Sequence, residues 1–213
     1  MNRPFVDRFV LVLLALAVLT LGPAYPVPAQ TKVAAAEMTA LKALGSRTAP
    51  ITMEVFSDFQ CPACRNLYQE TMRQVIENYV AAGKVYYVHR DMPLPVHKYS
   101  REASRYANAA ARVGKFERVV EALFNKQDTW SADGNVDGVV AAVLTPAEMN
   151  KVRQLLRGGQ LDAAIDKDKA VGESFQVRQT PTTIITFRGQ TYPIVGVVSY
   201  PILRRFLDDL LRQ

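Results

Sequence analysis

The sequence predicts a layered α/β domain with helices on both faces of a small sheet and an all-helical segment inserted into the chain. Two strand patterns, residues 51–57 and 84–92, flank one helical pattern. Residues 100–175 then show only helical patterns, and strand patterns return at 180–198 before a final amphipathic helix. A strand–helix–strand unit favours a right-handed parallel crossover, and the later strands read as a hairpin.

The first 29 residues have the pattern of a secretory signal peptide. Two arginines precede an uninterrupted apolar run at residues 9–21, which is shorter than the roughly 20 residues that span a bilayer. Val27 and Ala29 fit the −3 and −1 positions of a cleavage site. We expect cleavage after Ala29, export to the periplasm or another extracytoplasmic compartment, and no stable membrane insertion afterwards. The alternative is an uncleaved membrane anchor, which the prolines that follow the apolar run disfavour.

The positive charge of the chain does not indicate a nucleic-acid partner. The formal net charge is +6, but lysines and arginines are scattered and alternate with acids, as in DKDK at residues 166–169. This pattern is typical of a solvated surface, and a weak preference for acidic surfaces or lipid headgroups is the alternative.

Each predicted element of the core has a local signal. Residues 30–48 are Ala-rich and predict an N-terminal tether or a short helix. The β-branched and aromatic content of Ile51–Ser57 predicts a buried strand. Pro62 suits the first turn of the following helix and Gly83 suits its end. Within the helical segment, Thr145 predicts the N-cap of another helix.

The only two cysteines of the chain, Cys61 and Cys64, lie in the motif CPAC at the head of the first predicted helix. A disulfide between them closes almost no loop, so a purely structural bridge would add little stability. Unsatisfied amide groups and the helix dipole lower the pKa of a thiol at this position. We therefore predict a redox-active disulfide in which Cys61 is the exposed nucleophile and Cys64 the resolving thiol.

Metal binding is the alternative for such a cysteine pair. Zinc usually takes four ligands, and the only histidines, His89 and His97, have seven residues between them, which misses the usual spacing. We therefore expect no metal and no cofactor. We interpret His89 as a core or surface residue, His97 as a cap or surface residue, and Trp130 as packing between the inserted helices.

The segments FSDFQCPAC, RDMPLPVH and VRQTPTTI resemble the DsbA-like branch of the thioredoxin superfamily, and the likeness extends over roughly residues 49–211. The resemblance implies a thioredoxin fold with an inserted all-helical subdomain. The thioredoxin-like domain would comprise residues 49–99 and 176–213, and the insertion residues 100–175. Exported thiol-disulfide oxidoreductase activity is also implied.

The resemblance also implies a substrate-binding position. Pro181 matches the cis-proline that lies beside the active-site disulfide in this family. Thr180 would then lend backbone groups to an extended substrate segment. Relatives often have glycine where this chain has Gln179, a departure that alters the rim of the groove.

Two acids are candidate proton shuttles. Many relatives have an acidic residue six positions before the first cysteine, where this chain has Val55 with Glu54 beside it. Strand alternation points Glu54 to the opposite face, so a solvated or paired strand acid is its alternative. Asp58 is nearer the motif, and its alternative is a role in the turn or helix entry.

The predicted function is disulfide donation to reduced or misoxidised exported proteins, with a membrane redox partner that reoxidises the dithiol. Ala63 replaces the histidine that the strongest oxidases of the family have between their cysteines, which indicates a milder oxidant. A reductase or isomerase could use the same site, although residues 31–50 are too short for the dimerising module that isomerases usually have. A metal-binding or chaperone protein of the same fold is the other alternative.

Overall fold

The structure is a computed structural model that describes residues 37–213. The predicted signal peptide with its cleavage site, and residues 30–36 of the predicted tether, lie outside the described residues.

The described residues contain one mixed sheet with the strand order β1-β3-β2-β4-β5. Strands β2 and β3 are parallel, whereas the pairs β1–β3, β2–β4 and β4–β5 are antiparallel. This topology confirms the predicted crossover and the hairpin, which turns at Arg188 and Gly189. The strands are β1 Ala43–Leu44, β2 Ile51–Ser57, β3 Val85–Asp91, β4 Thr182–Phe187 and β5 Gln190–Val195.

Helix α1, over residues 62–80, joins β2 to β3. It is α-helical at Pro62–Leu67 and Arg73–Val75 and π-helical at Tyr68–Met72 and Ile76–Val80. The predicted proline stands at its first position.

The segment between β3 and β4 is all-helical, as predicted, although its boundaries at residues 100 and 175 stay a prediction. Thr145 and Glu148 form a capping box at the start of α6, which confirms the predicted N-cap. The helices are α2 Ser100–Arg112, α3 Phe116–Asn125, α4 Gln127–Asp133, α5 Val136–Ala141, α6 Pro146–Leu156 and α7 Gln160–Ser174, and α8 Tyr200–Arg212 closes the chain.

Alternation along β2 divides the apolar core between the two faces of the sheet. Ile51, Met53 and Val55 pack with residues of α1 and α8 on one face. On the other face, Phe56 lies against α7, where a Cβ at Gly172 would stand only 3.2 Å from its ring. Glycine at this position therefore allows the close approach of α7 to the sheet.

The described part of the N-terminal segment belongs to the fold. Residues 37–41 are helical, and β1 pairs with β3. Between them, Lys42 is only 1% exposed, and its ammonium group is ion-paired with Asp91 and Asp168. The sequence predicted a short helix here but neither the strand nor the buried lysine, because a two-residue strand has no periodicity of its own.

No helix within residues 37–213 is long and apolar enough to cross a membrane.

Candidate active site

The two cysteines lie at the start of α1, where the sequence placed them. Cys61 immediately precedes the first helical residue, and its carbonyl oxygen accepts the N–H of Cys64 and of Arg65 at 3.1 and 3.2 Å. Both thiols are free, and their residues are 7% and 2% exposed. The more accessible sulfur is therefore the one at the helix N-terminus.

The environment of Cys61 favours its thiolate. A hydrogen bond with the Cys64 side chain is the largest influence and lowers the pKa of Cys61, whereas burial raises it. The N–H groups of Cys64 and Ala63 and a contact with Thr180 lower it further, and the resulting pKa is about 5. A thiol with this pKa is almost fully ionised, and so nucleophilic, at neutral pH.

The environment of Cys64 favours its neutral thiol. Burial is the largest influence that raises the pKa of Cys64, and interaction with Cys61 adds to it. The N–H of Asp58, 3.4 Å from Cys64 Sγ, and the Ser57 side chain act in the opposite direction. The two pKa values are therefore displaced in opposite directions, as a nucleophilic and a resolving thiol require.

The start of β4 forms the other side of the site. The Thr180–Pro181 peptide bond is cis, as the resemblance implied. Cys61 Sγ lies 3.6 Å from the carbonyl oxygen of Thr180. Two exposed apolar residues, Val195 and Val197, lie on the neighbouring segment, where the Gly196 N–H donates to the Pro181 carbonyl at 2.8 Å.

The two candidate proton shuttles occupy different environments. Glu54 accepts two hydrogen bonds from Arg90, at 2.9 and 2.7 Å, and is thus a paired strand acid. Val55 is on the face of the sheet that packs with α1, as alternation predicted.

Asp58 is completely buried in the turn before Cys61 and accepts four hydrogen bonds. Its Oδ1 accepts from the Gln60 N–H at 2.8 Å and from the Ser100 hydroxyl. Its Oδ2 accepts from the Leu94 N–H at 2.8 Å and from His97 Nδ1 at 2.7 Å. A carboxylate can only accept, so His97 holds its proton on Nδ1.

The other singled-out aromatic residues have packing roles. His89 is buried and stacks on Phe59 with 5.0 Å between ring centroids, which confirms a core histidine. Trp130 is buried among the inserted helices and donates its indole N–H to the Leu123 carbonyl at 2.7 Å.

The sequence analysis missed Gln127, which contacts the active-site turn from α4. Its side-chain amide donates to the carbonyl oxygens of Phe59 and Cys61 at 2.7 and 3.0 Å, and the residue is 2% exposed. Glutamine within a helix normally indicates a surface position, so no local signal could have identified it.

Among residues 37–213, no group of three or more His, Cys, Asp or Glu side chains is arranged to hold a metal ion.

The comparison with protein families decides the identity of the fold. The family model described as Thioredoxin matches residues 38–192. The chain belongs to the thioredoxin family. Its similarity to solved DsbA proteins agrees with the predicted DsbA-like branch: alpha-DsbA1 of Wolbachia pipientis superimposes with a TM-score of 0.67 at 22% identity, over 79% of this chain and 89% of that one.

Two curated relatives show how this thioredoxin-family domain occurs elsewhere. The Na(+)/H(+) antiporter NhaA 3 of Salinispora tropica is 28% identical over 170 residues, 79% of this chain but 25% of the relative. The chain thus spans about a quarter of the length of that first relative. The probable disulfide bond formation protein D of Bacillus cereus is 23% identical and is covered over 69% of its length, with 68% of this chain aligned.

Proposed function

We propose that this thioredoxin-family chain is an exported thiol-disulfide oxidoreductase that donates disulfides to reduced or misoxidised exported proteins. The observation that carries the proposal is the arrangement around Cys61. Its thiol has a pKa of about 5, Cys64 is adjacent and favours the neutral form, and the Thr180 carbonyl is 3.6 Å from the Cys61 sulfur. A nucleophile, a resolving thiol and a strand start thus meet at one place.

Donation begins with the disulfide between Cys61 and Cys64. A substrate thiolate attacks Cys61 Sγ, the Cys61–Cys64 bond breaks, and Cys64 Sγ takes the electron pair and then a proton. A second substrate thiolate attacks the substrate sulfur of the mixed disulfide and releases Cys61 as a thiolate. The substrate has lost two electrons, and the enzyme is left as a dithiol.

The direction of transfer follows from which redox form the site stabilises. A low pKa means that the reduced protein holds Cys61 as a stabilised thiolate, which makes its disulfide more oxidising. Ala63 supplies no imidazole, so we expect a milder oxidant than a relative with histidine there.

Substrate binding would use the start of β4. Backbone groups of Thr180 would pair with an extended segment, and the exposed Val195 and Val197 would contact its apolar side chains. Such contacts are tolerant of sequence, which suits an enzyme with many unfolded clients. The name of the Bacillus cereus relative, a probable disulfide bond formation protein, is consistent with this use.

Export and reoxidation complete the proposal. The signal-peptide pattern of residues 1–29 supports delivery to an oxidising compartment. Each donation leaves the dithiol, so a membrane redox partner must remove two electrons and two protons before the next cycle.

Oxidation of reduced, unfolded ribonuclease tests the proposal. The oxidised wild-type protein should restore ribonuclease activity, and Cys61→Ser should abolish this. Cys64→Ser should instead trap mixed disulfides through Cys61, visible on a non-reducing gel. A wild-type protein that prevents aggregation of the substrate without oxidising it, and does so equally as Cys61→Ser, would be a chaperone.

A further inference from the structure

Asp58 is bonded in a way that only a carboxylate permits. Each of its two oxygens faces one backbone N–H, that of Gln60 at Oδ1 and that of Leu94 at Oδ2, both at 2.8 Å. A backbone N–H can donate but cannot accept. An amide at position 58 would therefore place its NH2 group against another donor in either orientation.

The donors to Asp58 come from two parts of the fold. Gln60 belongs to the active-site turn, whereas Leu94, His97 and Ser100 belong to the segment that leads from β3 into the helical insertion. Ser100 is the first residue of α2. The carboxylate thus joins the turn before Cys61 to the entry of the insertion.

The backbone of the same residue contacts both cysteines. The Asp58 N–H points at Cys64 Sγ at 3.4 Å, and the Asp58 carbonyl accepts the Cys61 N–H at 3.1 Å. Because the side chain is held by four donors in a completely buried site, the direction of this N–H is fixed as well.

We propose that Asp58 is a positioning residue of the redox site, whose carboxylate anchors the turn so that its own N–H stays directed at Cys64 Sγ. The proposal deepens the proposed function and rests on it. It replaces the proton-shuttle hypothesis for Asp58, since a carboxylate enclosed by four donors and no solvent has no position from which to pass a proton.

The N–H is placed where negative charge develops. When a substrate thiolate attacks Cys61 Sγ, the breaking disulfide leaves its electron pair on Cys64 Sγ. A donor already directed at that sulfur stabilises the transition state without reorganisation, as an oxyanion hole does for oxygen. The same donor assists the reverse step, in which Cys64 attacks a mixed disulfide on Cys61.

The test is the reduction of the oxidised protein by dithiothreitol, followed by rapid acid quench and thiol alkylation. Complete removal of an oxyanion-hole donor costs about 100- to 1000-fold in rate. Asp58→Asn displaces the donor rather than removing it, so we expect a loss of about tenfold. The matched control is Asp162→Asn, a partly exposed acid paired with Arg101, which should react at the wild-type rate.

The Cys64→Ser background separates positioning from general damage. There, Cys61 reacts with an aromatic disulfide without any charge on Cys64. Asp58→Asn should leave this rate within about twofold, since the change acts through Cys64. An equal slowing in both backgrounds would overturn the proposal, because Asp58 would then act on Cys61 or on the fold as a whole.

Two variants of His97 isolate its bond to Asp58. In His97→Asn the amide N–H can replace Nδ1–H as the donor, whereas His97→Ala provides none. We expect His97→Asn to react faster than His97→Ala and close to wild type. Equal, large losses in both would contradict the proposal, because the imidazole itself would then be required.

Failure of this inference and failure of the proposed function are distinguishable. If the wild-type couple does not cycle, the proposed function fails. If the wild type cycles and Asp58→Asn is reduced at the same rate, only the positioning role fails.

Discussion

Cys61 Sγ lies 3.6 Å from the carbonyl oxygen of Thr180, a residue 119 positions later in the chain. The whole helical insertion separates the two residues in sequence, yet the sheet brings β2 and β4 side by side. The nucleophile therefore faces the start of a strand, where an extended substrate could pair. This relationship joins the chemistry of the thiol to the binding of a polypeptide.

The reduced protein should be alkylated at Cys61 with an apparent midpoint near pH 5. Iodoacetamide reacts with the thiolate, and hydrogen bonds to Cys61 lower its pKa to about 5. The rate should reach a plateau at higher pH and fall below the midpoint. The Cys61→Ser variant is the control: Cys64, whose pKa is raised, should remain almost unreactive at pH 7. A midpoint near the ordinary thiol value of about 8.5 would contradict the assignment.

The stability of the reduced protein should rise with pH relative to the oxidised protein. The folded pKa of Cys61, about 5, lies below that of an unfolded thiol. The stabilisation is therefore fully present above the unfolded value of about 8.5 and is lost as the pH falls through the folded value. Urea unfolding of both forms at pH 4.5 and 8 measures the difference. A difference that does not change with pH would argue against a stabilised thiolate.

Glu54→Gln should leave the redox reaction unchanged. Glu54 is paired with Arg90 and lies on the opposite face of β2 from Val55, so it cannot relay protons beneath the disulfide. We expect the rate of ribonuclease oxidation to stay within about twofold across pH 5 to 8. Stability should fall by about 1 kcal/mol, because Arg90 keeps Asp168 as a partner. A tenfold loss of rate at unchanged stability would restore Glu54 as a proton shuttle.

Ala63→His should make the disulfide more oxidising. An imidazolium between the cysteines would stabilise the Cys61 thiolate further. Each unit by which the pKa falls corresponds to about 1.4 kcal/mol, or about 30 mV for a two-electron couple. Ala63→Gln, similar in size but uncharged, is the control and should shift the potential little. An unchanged potential for the histidine variant would show that position 63 does not act on the thiolate.

Lys42→Met should destabilise the protein strongly. Burial lowers the pKa of Lys42, but Asp91 and Asp168 more than offset this and keep the ammonium group charged. Loss of one partner from a buried ion pair costs about 3 to 5 kcal/mol, because the remaining charges are left uncompensated. Urea unfolding measures this loss, with the exposed Lys126→Met as the control. A cost below about 1 kcal/mol would mean that solvent or relaxation satisfies the two carboxylates.

Local patterns were sufficient for the elements and for the cysteine pair. The strand Ile51–Ser57 has the predicted bounds because its composition marks a buried strand. The start of α1 at Pro62 follows from the missing N–H of proline, and it places Cys61 at the helix N-terminus.

The polar surroundings of the cysteines could not be predicted in this way. Asp58 meets His97 and Ser100 across 39 and 42 residues, and Gln127 reaches the Cys61 carbonyl across 66. Lys42 meets Asp168 across 126 residues. These contacts depend on how the insertion and the N-terminal segment pack on the sheet, and no local periodicity encodes such packing.

The most direct test of the account is the equilibrium potential of the Cys61–Cys64 couple, titrated in glutathione buffers. The account predicts a reversible two-electron transition at a potential above about −200 mV, on the oxidising side of the range from about −120 mV for DsbA to about −270 mV for thioredoxin. A potential at or below about −270 mV would identify a reductant and contradict disulfide donation. A pair that does not cycle at all would contradict the oxidoreductase itself.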